Sequence, residues 1–99
     1  MVAPVSGAAE ADTTATAAEI TIDNFTFRPA VLTIAAGTRV TWINRDDIPH
    51  TMVDASALRA VKSPPLDTGD RFDHTFTASG TFRYFCSLHP HMQGMVVVR

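Results

Sequence analysis

The chain of 99 residues has a single cysteine, so no internal disulfide forms and cysteine usage alone does not assign a redox compartment. No apolar run in the sequence approaches the ~20 residues that cross a bilayer as a helix. An excess of basic residues is also missing. Eight Lys and Arg against ten Asp and Glu leave a net charge of -2, which removes the electrostatic footprint of a nucleic-acid binder. Met1-Val2-Ala3-Pro4-Val5 has neither the basic start nor the apolar core of a secretory signal. There is no internal repeat and no second domain. What remains is 45% hydrophobic and 18% charged residues, the composition of one small globular domain with a modest stability reserve.

Residues 1–18 are rich in Ala and Thr and poor in large apolar side chains. Burial cannot offset their ordering entropy, so a flexible segment is expected, with a strand joining near Ala15–Ala18 as the alternative. The folded domain is expected over 19–99. From Glu19 the pattern has period two: Ile20 and Ile22 share a face, while Phe25 and Phe27 have the opposite parity. That phase slip at Asp23-Asn24 predicts a bulge or bend. Leu32 and Ile34 mark a second strand and Ala36-Gly37-Thr38 a turn. Val40, Trp42 and Asn44 then alternate on one face of a third strand. Residues 55–69 break the alternation. Ala55–Ala60 is open to a helical turn or a weak strand, and Ser63-Pro64-Pro65 supports neither, because two prolines remove consecutive donors. This stretch reads as a long crossing loop. Strands resume at Arg71–Phe76, Thr81–Phe85 and Gly94–Arg99. The pattern predicts an all-β sandwich with Greek-key connections and about seven to eight strands.

The chemistry concentrates in Cys86-Ser87-Leu88-His89-Pro90-His91-Met92. A thiolate, an imidazole and a thioether at i, i+3 and i+6 meet at one point only if the chain curls, and Pro90 favours such a turn. Soft sulfur plus imidazole suits copper; two histidines, one cysteine and a weak axial methionine are the blue-copper set. The set needs a second histidine, and His50 in Asp47-Ile48-Pro49-His50-Thr51-Met52 is the candidate.

At these residues the sequence resembles the cupredoxins. The resemblance rests on Asn44-Arg45-Asp46-Asp47-Ile48-Pro49-His50, then Gly80-Thr81-Phe82-Arg83-Tyr84-Phe85-Cys86, then the short Cys-x-x-His-x-x-Met loop. Among cupredoxins it is most similar to the amicyanins; pseudoazurins and plastocyanins are more distant. The resemblance implies a cupredoxin-like Greek-key sandwich and one type 1 copper ion held by His50, Cys86, His89 and Met92. The start of the chain is open to a cytoplasmic protein or to a mature segment with an added Met; the resemblance implies export to the bacterial periplasm and so the second, and a monomer is expected. The resemblance also implies an amine dehydrogenase as electron donor and a c-type cytochrome as acceptor.

Each candidate has a plainer alternative. Cys86 shares parity with Phe82 and Tyr84 and is expected to face inward, where free cysteines are often mere packing. His89 sits in a turn past that strand, where an exposed loop histidine is the alternative. His50 follows Pro49, which restricts the backbone before it; a satisfied, partly buried histidine is the alternative. Met52 and Met95 compete chemically with Met92, so the axial assignment depends on loop spacing and the resemblance. His91 is expected to point away from the metal; amicyanins carry an apolar aromatic there. His74, in phase with Phe72 and Phe76, reads as structural. Asn44 is expected to tie the His50 loop to the Cys86 loop. Thr51 stands where many cupredoxins have Asn, which puts one loop-to-loop side-chain bond in doubt. Its N–H remains a donor to the Cys86 sulfur, and the Ser87 hydroxyl an anchor for its own loop.

The expected function is one-electron transfer by a single copper, not catalysis, because four protein ligands leave no open position. A copper chaperone or storage protein would use the same ligands on a more exposed site. A non-redox zinc domain would leave the thioether unexplained. A cysteine nucleophile activated by His50 or His89 would leave Met92 without a role.

Overall fold

The computed structural model describes residues 16–57 and 59–99. The expected flexible segment therefore lies, over residues 1–15, outside the described residues. Among the described residues eight strands form: β1 (Ala17–Asp23), β2 (Thr26–Arg28), β3 (Val31–Ile34), β4 (Thr38–Asn44), β5 (Val53–Asp54), β6 (Arg71–Phe76), β7 (Gly80–Phe85) and β8 (Gln93–Val98). They make two four-stranded sheets, ordered β2-β1-β4-β6 and β3-β8-β7-β5. Both sheets are mixed: β1 runs parallel to β4 and β3 parallel to β8, the remaining pairs being antiparallel. No helix occurs among the described residues.

The period-two pattern decides which face of each strand goes in. Ile20 and Ile22 of β1, Val40 and Trp42 of β4, Tyr84 of β7 and Val96 and Val98 of β8 are buried between the sheets. Trp42 sits at the centre, edge-on to Tyr84 at 5.4 Å between ring centroids, while Phe27 packs edge-on to Tyr84 from β2 at 4.7 Å. Such offset and perpendicular arrangements suit the ring quadrupoles. His74 behaves as a structural residue: half-buried, it lies edge-on to Phe76 and stacked over Phe82.

The phase slip after Asp23 is not a bulge. Asp23 pairs with Thr26, leaving Asn24 and Phe25 as a two-residue hairpin loop, with φ of 52° and 56°. That is the left-handed pair of a type I′ turn, whose twist matches that of the strands. Asn tolerates the conformation; an aromatic residue pays for it in strain. The parity change between Ile22 and Phe27 thus reflects a reversal of direction. In the 55–69 stretch, no helical turn forms among the described residues. The segment crosses back to the sandwich through isolated bridges, Lys62 with Val53 and Leu66 with His50, and buries the Leu66 side chain.

The order of the strands carries three connections to one end of the sandwich: the β1–β2 turn, the chain between β4 and β5, and the chain between β7 and β8. The candidate ligands lie on the last two.

Candidate metal centre

Cys86 continues the inward parity of β7 and is fully buried. From there the chain closes on itself by backbone bonds. His89 N–H donates to Cys86 O, Met92 N–H to His89 O, and Cys86 N–H to Met92 O. These bonds convert the i, i+3, i+6 spacing into a compact loop whose ends are fixed by β7 and β8. Met92 is 2% exposed, whereas Leu88 is 51% exposed. His89 is half-buried and His91 exposed, so the loop turns Cys86 and Met92 inward and His91 outward.

His50 comes from the other side, between β4 and β5, and is wholly buried. Its N–H and C=O bond to Leu66. Cys86 Sγ lies 3.7 Å from His50 Nδ1 and 3.8 Å from His89 Nδ1, and the three donor atoms lie within 4.8 Å of one another. Metal–sulfur and metal–nitrogen bonds of about 2.3 and 2.0 Å at a wide angle put S and N about 3.7 Å apart. The spacing therefore fits one metal ion held by all three atoms.

Asp46 orients His50. Its carboxylate lies 2.7 Å from His50 Nε2 and accepts the N–H groups of Asn24 and Phe25 at 2.6 and 2.9 Å. Burial by itself pushes the Asp46 carboxyl up, but the N–H groups of Phe25 and Asn24 and the His50 ring outweigh it and hold it below the usual carboxylate range. An ionised carboxylate only accepts, so Nε2 carries a proton, and Nδ1, which faces Cys86, is the ring atom left to ligate a metal ion.

Asn44 does not tie the two loops together as expected. Its amide donates to Ile48 O at 2.8 Å and Leu66 O at 2.7 Å, and its oxygen accepts Asp46 N–H at 2.9 Å. It shapes the His50 loop from within and pins the 55–69 crossing to it. Thr51 makes the loop-to-loop link that was in doubt. Its Oγ1 accepts Ser87 N–H at 2.8 Å and lies 2.8 Å from Ser87 Oγ. Thr51 N–H reaches Cys86 Sγ at 3.4 Å and its Oγ1 lies 3.6 Å from the same sulfur. Burial raises the Cys86 thiol, yet the Thr51 N–H, the His50 ring, the Thr51 hydroxyl and His89 together bring it down to about 6. The metal-free site is thus arranged for a thiolate.

Two participants had escaped the sequence reading. Asp46 sits four residues before His50, but only the loop conformation turns its carboxylate towards the ring. Phe25, 45% exposed, presents its ring edge-on to His50 at 5.6 Å and to His89 at 5.1 Å. Met52 is buried in the main core and its N–H donates to Ser63 Oγ; Met95 is half-buried on β8.

A β-sandwich with His50, Cys86 and His89 clustered at the end where its loops converge, and Met92 in the same loop as Cys86 and His89, defines a cupredoxin. The copper-binding plastocyanin/azurin family model matches residues 14–99, and the chain belongs to that family. Amicyanin from Paracoccus denitrificans is 39% identical over 70 residues, 68% of this chain and about half, 53%, of that relative. Amicyanin-alpha from Methylorubrum extorquens is 35% identical over 98 residues, covering 94% of this chain and 82% of the relative. Plastocyanins match as well. Among solved structures, a purple cupredoxin from Nitrosopumilus maritimus superposes with a TM-score of 0.78 at 38% identity, over 83% of this chain and 99% of that one. His50, Cys86, His89 and Met92 form the pattern of a type 1 copper site.

Proposed function

We infer that this chain is a single-copper electron-transfer protein, with His50 Nδ1, Cys86 Sγ and His89 Nδ1 as strong ligands and Met92 as the weak axial one. The observation that carries this reading is the convergence of the three donors at 3.7–3.8 Å from sulfur to each nitrogen before any ion is added. Copper bound there supplies one-electron chemistry by alternating between Cu(I) and Cu(II). The residues around it hold the geometry constant. Asp46 fixes the ring of His50, Thr51 joins the two ligand loops, and the backbone bonds of 86–92 fix Cys86 and His89. Holding one geometry through both states limits rearrangement, which is what rapid electron transfer needs.

His89 is the half-buried ligand, and Phe25, Leu88, Pro90 and Pro49 are exposed around it, with Ile48 half-buried. This apolar rim suits a small, transient redox interface, commonly below about 1,200 Å² in total. The likeness to amicyanins supports a periplasmic setting, with an amine dehydrogenase as donor and a c-type cytochrome as acceptor. A chaperone or storage role fits less well, because His50 and Cys86 are both 0% exposed and release of the ion would require the loops to open. No helix is long and apolar enough to cross a membrane among the described residues.

The test is a visible spectrum after adding Cu(II) and again after ascorbate. An intense thiolate-to-copper band that bleaches on reduction is expected; a colourless protein that binds zinc one-to-one refutes the reading. Cys86→Ser should abolish the band, and Met92→Ala should retain copper while shifting the potential.

A further inference from the structure

We propose that the Thr51 hydroxyl is a second hydrogen-bond donor to the Cys86 sulfur, aimed there by Ser87, and that this hydroxyl relay raises the reduction potential of the site. The proposal rests on the electron-transfer reading above. Thr51 N–H already donates to Cys86 Sγ at 3.4 Å. The hydroxyl oxygen of the same residue lies 3.6 Å from that sulfur and 2.8 Å from both the N and the Oγ of Ser87.

A proton count fixes the direction. Thr51 Oγ1 has one proton and two lone pairs. Ser87 N–H takes one lone pair. If the Ser87 hydroxyl donates to the second, both acceptor sites of Thr51 are filled, and its single proton has Cys86 Sγ as the remaining neighbour. The opposite direction, Thr51 donating to Ser87 Oγ, would leave a fully buried thiolate with the Thr51 N–H alone at this side. A thiolate only accepts, and hydrogen bonds to an ionised acceptor are the stronger kind. The first arrangement is therefore favoured whenever Cys86 is ionised.

The effect on potential has a definite sign. More negative charge resides on sulfur in the reduced state, so a donor to sulfur stabilises that state more. Hydrogen bonding around this sulfur is a recognised tuning element of such sites. Thr51 is a positioning and tuning residue, not a ligand.

The experiment compares reduction potentials of copper-loaded wild type, Thr51→Val and Thr51→Ser. Val keeps the shape and removes the hydroxyl; Ser keeps the hydroxyl and removes the methyl. Thr51→Val is expected to shift the Cu(II)/Cu(I) balance towards Cu(II) about tenfold, which is 59 mV downward for one electron, and Thr51→Ser to stay near wild type. A Thr51→Val protein that is blue with unchanged potential overturns the relay, as does a Thr51→Ser protein that falls as far as Val. If Thr51→Val does not fold, resonance Raman of the wild type decides. The hydroxyl exchanges on mixing with D2O while the buried amide exchanges slowly, so a prompt shift of the copper–sulfur stretch supports the relay and its absence overturns it. A wild type with no thiolate–copper band overturns the electron-transfer reading, and the relay with it; only a blue wild type lets the relay fail alone.

Discussion

Gly94 faces Tyr84 across the β7–β8 ladder, and replacing it with alanine tests the packing directly. A Cβ at position 94 would lie 2.8 Å from Tyr84 Cε2 and closer still to Cζ and Oη. The obstacle is not the free end of a flexible chain. Tyr84 is 1% exposed and is walled by Phe27, Trp42 and Phe82. Inserting one methyl into such packing costs typically 1–3 kcal/mol, and the rigidity of this ring puts G94A at the upper end, about 3 kcal/mol. For a chain of this size that lowers Tm by roughly 12–24 °C. Thermal and urea unfolding of the metal-free protein, with unchanged denaturant slope, would measure it. A double-mutant cycle adds the mechanism: with Tyr84→Leu in place, the alanine should cost at least ~1 kcal/mol less than in the wild type. Tyr84→Phe should not rescue, because Cζ clashes as much as the hydroxyl. A Gly94→Ala protein within ~0.5 kcal/mol of wild type, or strict additivity in the cycle, would refute the reasoning. Tyr84, on β7, lies two residues before Cys86, which directly follows that strand, so any displacement of the ring that relieves the clash is also expected to alter the copper spectrum.

Phe25→Gly should leave the metal-free fold intact or stabilise it by up to ~1 kcal/mol, since glycine removes the left-handed strain at φ 56°; a loss above 1 kcal/mol in urea unfolding would show that the ring contacts outweigh the strain. Asp46→Ala should cost about 1–3 kcal/mol, chiefly by leaving the buried His50 Nε2 without its acceptor, and should weaken copper binding measured by competition; unchanged affinity would refute its orienting role. Without metal, stability should rise with pH. The Cys86 thiol is lowered from 9.0 to about 6 in the fold, so its contribution, at most ~4 kcal/mol, is full above the unfolded value and lost as pH falls through the folded one. Urea midpoints between pH 6 and 9 should therefore climb in the wild type more than in Cys86→Ser, and equal slopes would acquit the thiolate.

Much of the sandwich was legible because its strands carry a period-two pattern: Val40 and Trp42 mark the inward face of β4, and Phe72 and Phe76 that of β6. The loop 86–92 was legible for another reason, since four ligand-type residues of three kinds, one Cys, two His and one Met, fall in seven positions. The failures share a cause. At Asn24-Phe25 the aromatic residue mimics a strand position, and nothing in the sequence announces that its φ is positive. The amide of Asn44 spends its two donors on Ile48 and Leu66, and Leu66 comes near only through the course of the crossing loop. The backbone partners of the Asp46 carboxylate are 21 and 22 positions away on the β1–β2 turn. Long-range pairing of polar side chains has no period to read. Gly94 gives no signal either until Tyr84 is seen opposite.

One carboxylate, that of Asp46, serves both the hairpin that presents Phe25 and the imidazole of His50. Positions 24, 25, 46 and 50 are consequently a single heritable unit. A relative that loses the acid at 46 loses one acceptor shared by two turn amides and the His50 ring, so it should also differ in the length or residues of that hairpin. Descent along this lineage is expected to leave correlated exchanges at these positions, while the neighbouring Asp47, exposed and outside this unit, drifts freely.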